Sequence, residues 1–145
     1  MSLFTVQQDL YSPSVRKRLT HQAKRCFDRI NHRRFLPILE EKVPEVPLIF
    51  SPRMTRYGGK LIVREAQCII KLSLPLLHAK GWRVMTQVLK HEMCHLWVFE
   101  KSPDIWCLHG GHNETFQYVA NLVGAHVEEN MECKDLYMAR HRVSA

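Results

Sequence analysis

His91, Glu92 and His95 form the pattern His-Glu-x-x-His, in which two imidazoles stand four residues apart. Residues four apart lie above one another on an α-helix, so both rings can reach one cation, and Glu92 lies beside them, about 100° round the axis. Imidazole is a common metal ligand, and a carboxylate beside a bound ion can act as a general base. The spacing predicts a metal centre with His91 and His95 as ligands and Glu92 as catalytic base, provided that the segment is helical.

The residues before this pattern favour a helix over roughly 81–100. Counted at about 100° per residue, Val84 and Val88 fall on the same side as the two histidines. The opposite side carries polar residues, namely Arg83, Gln87 and Lys90. The histidines should therefore face inward, where two imidazoles and a carboxylate would be costly to bury without a divalent cation.

A third ligand is expected from elsewhere, because a catalytic zinc usually takes three protein ligands and leaves one position open to water. His109 and His112 both compete for this role. The residues 113–122 predict a helix that ends at Gly124, and His112 lies four residues before Phe116 on its apolar line. We favour His112 and place His109 at the rim of the site or in the loop. Trp97, on the polar side of its predicted helix, is a second rim candidate.

The elements around this site predict an α+β fold. Ser12 and Pro13 mark the start of an N-terminal helix, and prolines make 36–47 a connector. Three short runs rich in β-branched residues, 48–50, 60–63 and 68–72, predict a small antiparallel meander whose first two strands are joined by a turn at Tyr57-Gly58-Gly59. We expect one domain over 1–145, with a core at about 12–125 and a tail at 126–145.

The net charge of +7 is unevenly distributed. Residues 1–90 contain 17 Lys and Arg against 6 Asp and Glu, whereas 91–145 contain 4 against 8. Much of this charge is on the N-terminal helix and its end, at Arg16, Lys17, Arg18, Lys24, Arg25, Arg29, Arg33 and Arg34. These residues are a solvated face or the contact surface of an anionic partner, for which nucleic acid is the commonest choice.

Other features of the chain suggest an intracellular protein. No run of 18 apolar residues is present, and the first residues lack the continuous apolar segment of a secretory signal. The five cysteines are odd in number and include no Cys-x-x-Cys pair, which argues against a disulfide framework. We expect a monomer without membrane contact, in the cytoplasm, the nucleoid or the nucleus.

Several motifs occur in an order that resembles the SprT family of zinc metallopeptidases, over roughly residues 26–125. They are Ile-Asn-His-Arg-Arg-Phe at 30–35, Gly-Gly-Lys at 58–60, Ile-Ile-Lys-Leu-Ser at 69–73, His-Glu-Met-Cys-His at 91–95 and Gly-His-Asn-Glu-Thr-Phe at 111–116. The resemblance implies a minimal zincin-like domain with one catalytic Zn²⁺, a peptidase acting on proteins bound or crosslinked to DNA, and DNA as a partner. The family usually has glycine after the third ligand, where this chain has Asn113.

Two other functions remain open from the sequence. One is a nucleic-acid-binding module with a structural zinc and no significant proteolysis, and the other is a different zinc-dependent hydrolase. Only the enzymes need Glu92, and only a peptidase cleaves a protein substrate. Replacing Glu92 should therefore abolish turnover and leave zinc bound if the chain is an enzyme, and should change no activity if it is a binding module.

Overall fold

The computed structural model describes residues 12–104 and 112–125. The expectations that concern His109 and the tail at 126–145 lie outside these residues and stay predictions. Among the described residues, no helix is both long and apolar enough to cross a membrane.

Helix α1 (Pro13–Ile30) begins as the sequence predicts. The Ser12 hydroxyl accepts a hydrogen bond from the Val15 N–H at 3.3 Å, and Pro13 occupies the first turn, where no N–H is needed. The side of the helix that carries Ala23 and Phe27 is buried, so the predicted apolar face is confirmed.

The predicted connector at 36–47 is partly wrong, because the helical path continues past residue 30. A π-helical turn (Asn31–Phe35) leads into a short helix α2 (Leu36–Leu39). Pro37 lies in the first turn of α2, where proline is tolerated. The buried Asn31 side chain then fixes the returning chain: its amide donates to the Val43 carbonyl at 2.9 Å, and its oxygen accepts from the Val43 N–H at 2.8 Å.

The sheet contains β1 (Leu48–Ser51), β2 (Gly59–Arg64) and β3 (Gln67–Ser73) in the order β1-β3-β2. β3 pairs antiparallel with β2 but parallel with β1. The predicted antiparallel meander is therefore wrong, and the sheet is mixed. Ile70 and Leu72 of the central strand β3 are fully buried, so the strand in the middle of the sheet carries its most deeply buried side chains.

The reason for the error is the position of the tight turn. It joins β2 to β3 through Glu65 and Ala66, which have φ of 50° and 65°. Two-residue hairpin loops require such angles, but they are usually made by Asn or Gly, so the sequence does not indicate this turn. The expected turn at Gly58-Gly59 instead leads into β2, and among the described glycines only Gly81 and Gly124 have positive φ.

Helix α3 (Leu74–Lys101) is longer than the predicted 81–100 and is broken once. Its start is capped by Ser73, whose hydroxyl accepts from the Leu76 N–H at 3.1 Å and donates to the Met54 carbonyl at 2.6 Å. Gly81, with φ 81° and ψ −173°, separates a first segment at 74–80 from the segment that carries the histidine motif. Glycine reaches this conformation without the penalty that a Cβ would bring.

Helix α4 (Glu114–Val123) begins and ends where the sequence predicts. The Asn113 side chain accepts from the Phe116 N–H at 2.9 Å, and Gly124 ends the helix in the left-handed conformation with φ 76°. Helices α1, α3 and α4 and one face of the sheet enclose a single core, so the α+β class is confirmed.

Candidate metal centre

Three imidazoles converge at the junction of α3 and α4. The Nε2 atom of His91 lies 3.1 Å from that of His112 and 3.2 Å from that of His95. His91 and His95 are 2% and 7% exposed, whereas His112 is on the surface. Solvent therefore reaches the cluster from the side of His112, whereas the side of His91 and His95 is closed.

The positions of the three rings follow from local structure. His91 and His95 are one turn apart on the buried face of α3, as the motif predicts. His112 immediately precedes the N-cap of α4, and its carbonyl accepts a hydrogen bond from the Gln117 side chain at 3.3 Å. The Asn113 cap therefore fixes the backbone that presents His112.

Phe116 packs against all three imidazoles. Its ring stacks on His95 at 4.2 Å between centroids and meets His91 and His112 edge-on at 4.9 and 5.0 Å. The sequence places Phe116 on the apolar line of α4 but does not predict this contact. A fully buried aromatic ring restricts the rotation of the imidazoles and so pre-organises them.

The donor set and its spacing fit a zinc ion. Tetrahedral coordination with Zn–N bonds of about 2.0–2.1 Å puts neighbouring nitrogens about 3.3 Å apart. The separations of 3.1 and 3.2 Å between ring nitrogens are close to that value. His91, His95 and His112 are also the group of His, Cys, Asp and Glu side chains that meets metal-site geometry within the described residues.

Glu92 is sealed between α3 and β2. Its side chain is 4% exposed, and burial raises the pKa of its carboxyl to about 8. Two smaller effects lower this pKa, a hydrogen bond from the Leu61 backbone N–H and the positive charge of Lys60. A cation at the neighbouring imidazoles would lower it further, because it favours the carboxylate.

Gly59 makes this close approach of β2 to α3 feasible. A Cβ built on Gly59 would lie 2.9 Å from the Glu92 Cγ and 2.7 Å from a Val88 methyl. Real Cβ atoms essentially never come within 3.0 Å of another heavy atom, so no side chain fits without movement of a neighbour. The sequence predicts a turn at this glycine and does not indicate its contact with Glu92.

Two further residues of α3 lie beside the motif. Lys90 is 8% exposed, although its position in the helical repeat predicts the polar side. Burial and, to a smaller extent, the nearby Arg34 of the π-helical turn lower the pKa of Lys90, so this part of α3 is covered rather than solvated. Cys94 is fully buried, which fits a packing residue, and burial raises the pKa of its thiol.

The eight basic residues proposed for nucleic-acid contact are all exposed. They occupy α1 and the π-helical turn, at Arg16, Lys17, Arg18, Lys24, Arg25, Arg29, Arg33 and Arg34. Lys24 forms an ion pair with Glu45 at 3.7 Å. Exposure permits the predicted contact with nucleic acid, which stays a prediction.

Trp97 lies on another side of α3 from the histidines. The half-buried ring contacts Phe35 at 6.0 Å between centroids, and the Lys101 ammonium lies 5.0 Å from its centre. Its assignment to the rim of the site stays a prediction, as does that of His109.

Comparison with known proteins gives one match to a protein family. The model of the SprT-like family matches residues 23–136, which is most of the chain and includes the three histidines and Glu92. A search of curated proteins gives no match.

Proposed function

The chain belongs to the SprT-like family, and from this membership we propose that it is a zinc-dependent endopeptidase with a zincin-like site. His91, His95 and His112 are the proposed ligands and Glu92 the proposed general base. The observation that carries the proposal is the convergence of the three ring nitrogens, together with the burial of Glu92, the residue that follows His91 on the same helix. A zinc ion bound there would activate water and polarise the carbonyl of the scissile peptide bond.

The role of Glu92 follows from its surroundings. The carboxylate accepts a proton from the attacking water and passes it to the leaving amine. The Leu61 N–H donates to this carboxylate and Gly59 leaves the space that it occupies, so β2 holds the base in place. Burial raises the pKa of this carboxyl, and a cation bound at the imidazoles would lower it, so the two effects oppose each other at the proposed base.

DNA is the proposed activating partner, and proteins bound or crosslinked to DNA are the proposed substrates. The exposed basic side chains of α1 support this part of the proposal, because neutralising phosphates relieves their mutual repulsion. The proposal also includes an intracellular location and a monomeric state.

Cleavage of a basic DNA-binding protein by the zinc-loaded chain, with and without single-stranded DNA, tests the proposal. We expect DNA-stimulated cleavage that Glu92→Gln abolishes while zinc content stays at one ion per chain. Glu100→Gln makes the same chemical change at an exposed position of α3 and should keep activity.

Three results would contradict the proposal in different ways. Cleavage that persists in Glu92→Gln refutes the assignment of the base. DNA binding with zinc bound but no cleavage favours a binding module with a structural metal. Turnover of a small ester with no cleavage of protein favours a different hydrolase.

A further inference from the structure

A groove of about 410 Å³ lies between α1 and the second segment of α3. Four arginines line it, Arg18, Arg25 and Arg29 from α1 and Arg83 from α3, together with Trp82. The volume is within the usual range of about 300–1,000 Å³ for ligand sites. Trp82 is nine residues before His91, which is about 14 Å along the axis of α3, so the groove is separate from the metal centre.

The groove is strongly positive. Among the residues that the structure describes, none that lines the groove is acidic. Within the described ranges 12–104 and 112–125, the ion pairs are Lys24–Glu45 and Lys101–Glu41, and neither includes an arginine of the groove. The four guanidinium groups of the groove repel one another, and an anionic ligand would offset that repulsion.

The arginines are arranged for an extended ligand. Arg18, Arg25 and Arg29 are separated by seven and four residues, so they lie along one face of α1 over about 16 Å. On the opposite wall, the break at Gly81 makes Trp82 and Arg83 the first turn of a new helical segment. The partial positive charge of a helix start adds to the attraction for anions.

Trp82 distinguishes this groove from a purely electrostatic surface. The ring is half-buried and packs edge-on against Phe50 at 6.1 Å between centroids, and it also lines the groove. An indole held in this way can stack with an unpaired base, and guanidinium groups bind phosphates in a bidentate manner.

We propose that this groove binds a single strand of nucleic acid, with its phosphates on the four arginines and a base against Trp82. The inference rests on the proposed function, in which DNA is the activating partner, and it assigns that partner a site. Arg25 and Arg29, which are one helical turn apart, are the centre of the phosphate contacts.

The test compares two variants of equal charge in the Glu92→Gln background, so that no proteolysis is needed. One variant removes two groove arginines, Arg25→Gln with Arg29→Gln. The other removes two exposed arginines that lie outside the groove and outside the eight basic residues proposed for nucleic-acid contact, Arg53→Gln with Arg64→Gln. Affinity for a labelled single-stranded oligothymidylate is measured by fluorescence anisotropy over a range of salt. Circular dichroism melting confirms that each variant is folded.

We expect the groove pair to lower the affinity about tenfold. The plot of log association constant against log salt has a negative slope, and this slope should become shallower by about 1.4, since each of the two lost phosphate contacts on a single strand contributes about 0.7. The control pair should lose at most about threefold, with the slope nearly unchanged. Trp82→Phe, which keeps an aromatic contact to Phe50, should weaken binding and abolish the fluorescence quenching caused by the oligonucleotide.

Equal losses in both pairs would overturn the groove as the site, because net charge alone would then explain binding. Absence of binding in every variant would overturn it as well. If polyglutamate displaced the oligonucleotide at equal charge and showed the same sensitivity to the groove pair, the ligand would be an acidic polypeptide and the nucleic-acid assignment would fail. If a groove-pair variant that retains Glu92 needs no more DNA than the parent for half-maximal stimulation of cleavage, the groove is refuted but the peptidase is not. Groove-dependent DNA binding by a chain that cleaves no protein would refute the peptidase but not the groove.

Discussion

Replacing Gly59 by alanine should disable the enzyme without removing any group that takes part in the chemistry. The added Cβ would lie 2.9 Å from the Glu92 Cγ and 2.7 Å from a Val88 methyl. Carbon atoms in contact are normally about 3.5–4.0 Å apart. One or both neighbours must therefore move by roughly 0.6–1.3 Å.

The size of the effect follows from that displacement. Overpacking of a core costs about 1–3 kcal/mol, so Gly59→Ala should lower the unfolding free energy by that amount and still fold. A misplacement of about 1 Å at a catalytic group can cost roughly 100-fold in rate. We therefore expect kcat/KM to fall by about two orders of magnitude. Zinc affinity should change little, because the three heavy atoms nearest the added Cβ belong to Val88 and Glu92 and not to a histidine.

The assay measures kcat/KM on a protein substrate, zinc content and thermal unfolding for the single variant and for Gly59→Ala with Val88→Ala. Val88→Ala removes both methyl groups of Val88, including the one nearest the new Cβ. The double variant should therefore regain part of the activity, although it is less stable than the parent. Wild-type turnover in folded Gly59→Ala would refute the argument that Gly59 seats Glu92. Loss of zinc together with activity would place the damage at the histidines instead.

Three further perturbations are informative. In the metal-free protein, the pKa of Glu92 is raised from 4.5 to about 8, so the folded state loses stability relative to the unfolded state as pH rises through this range. Glu92→Gln should therefore be more stable than the parent by up to a few kcal/mol at pH 8, and the difference should close towards pH 4.5. A difference in unfolding free energy that does not change with pH would contradict this. Asn31→Ala should lower the unfolding free energy by about 3 kcal/mol, because it leaves the buried N–H and carbonyl of Val43 without their side-chain partner. Asn121→Ala, on the exposed face of α4, should have an unfolding free energy within about 0.5 kcal/mol of the parent in the same melting experiment. Asn113→Ala should cost about 1 kcal/mol and weaken zinc binding in a competition titration with a chromophoric chelator, while Asn113→Asp keeps the cap and should bind zinc nearly as the parent does.

Helix ends and the pairing of His91 with His95 could be predicted because their signals are local. Ser12, Asn113 and Gly124 are residue types that cap helices, and each lies where its helix begins or ends. The spacing of His91 and His95 brings them together on any α-helix. For these features a few neighbouring residues contain all the necessary information.

The features that the sequence does not reveal depend on contacts between distant parts of the chain. The parallel pairing of β1 with β3 joins segments some twenty residues apart, and the turn that would have indicated the strand order uses Glu65 and Ala66 in a backbone conformation rare for those residues. The contact of Gly59 with Glu92 likewise exists only after β2 packs on α3. Lys90 is buried on a side of α3 that periodicity alone assigns to solvent, and Arg34 of the π-helical turn lies near enough to lower its pKa.

The three histidines come from two different pieces of the fold, and this has a thermodynamic consequence. α3 supplies His91 and His95, whereas His112 stands at the entrance to α4, so the full donor set exists only while the two helices are docked. An ion held by all three would act as a cross-link between them, and its binding free energy would also stabilise helix docking. Chelation should consequently accelerate amide hydrogen exchange in α4 first, and metal supply would determine how much of the chain is in the docked form.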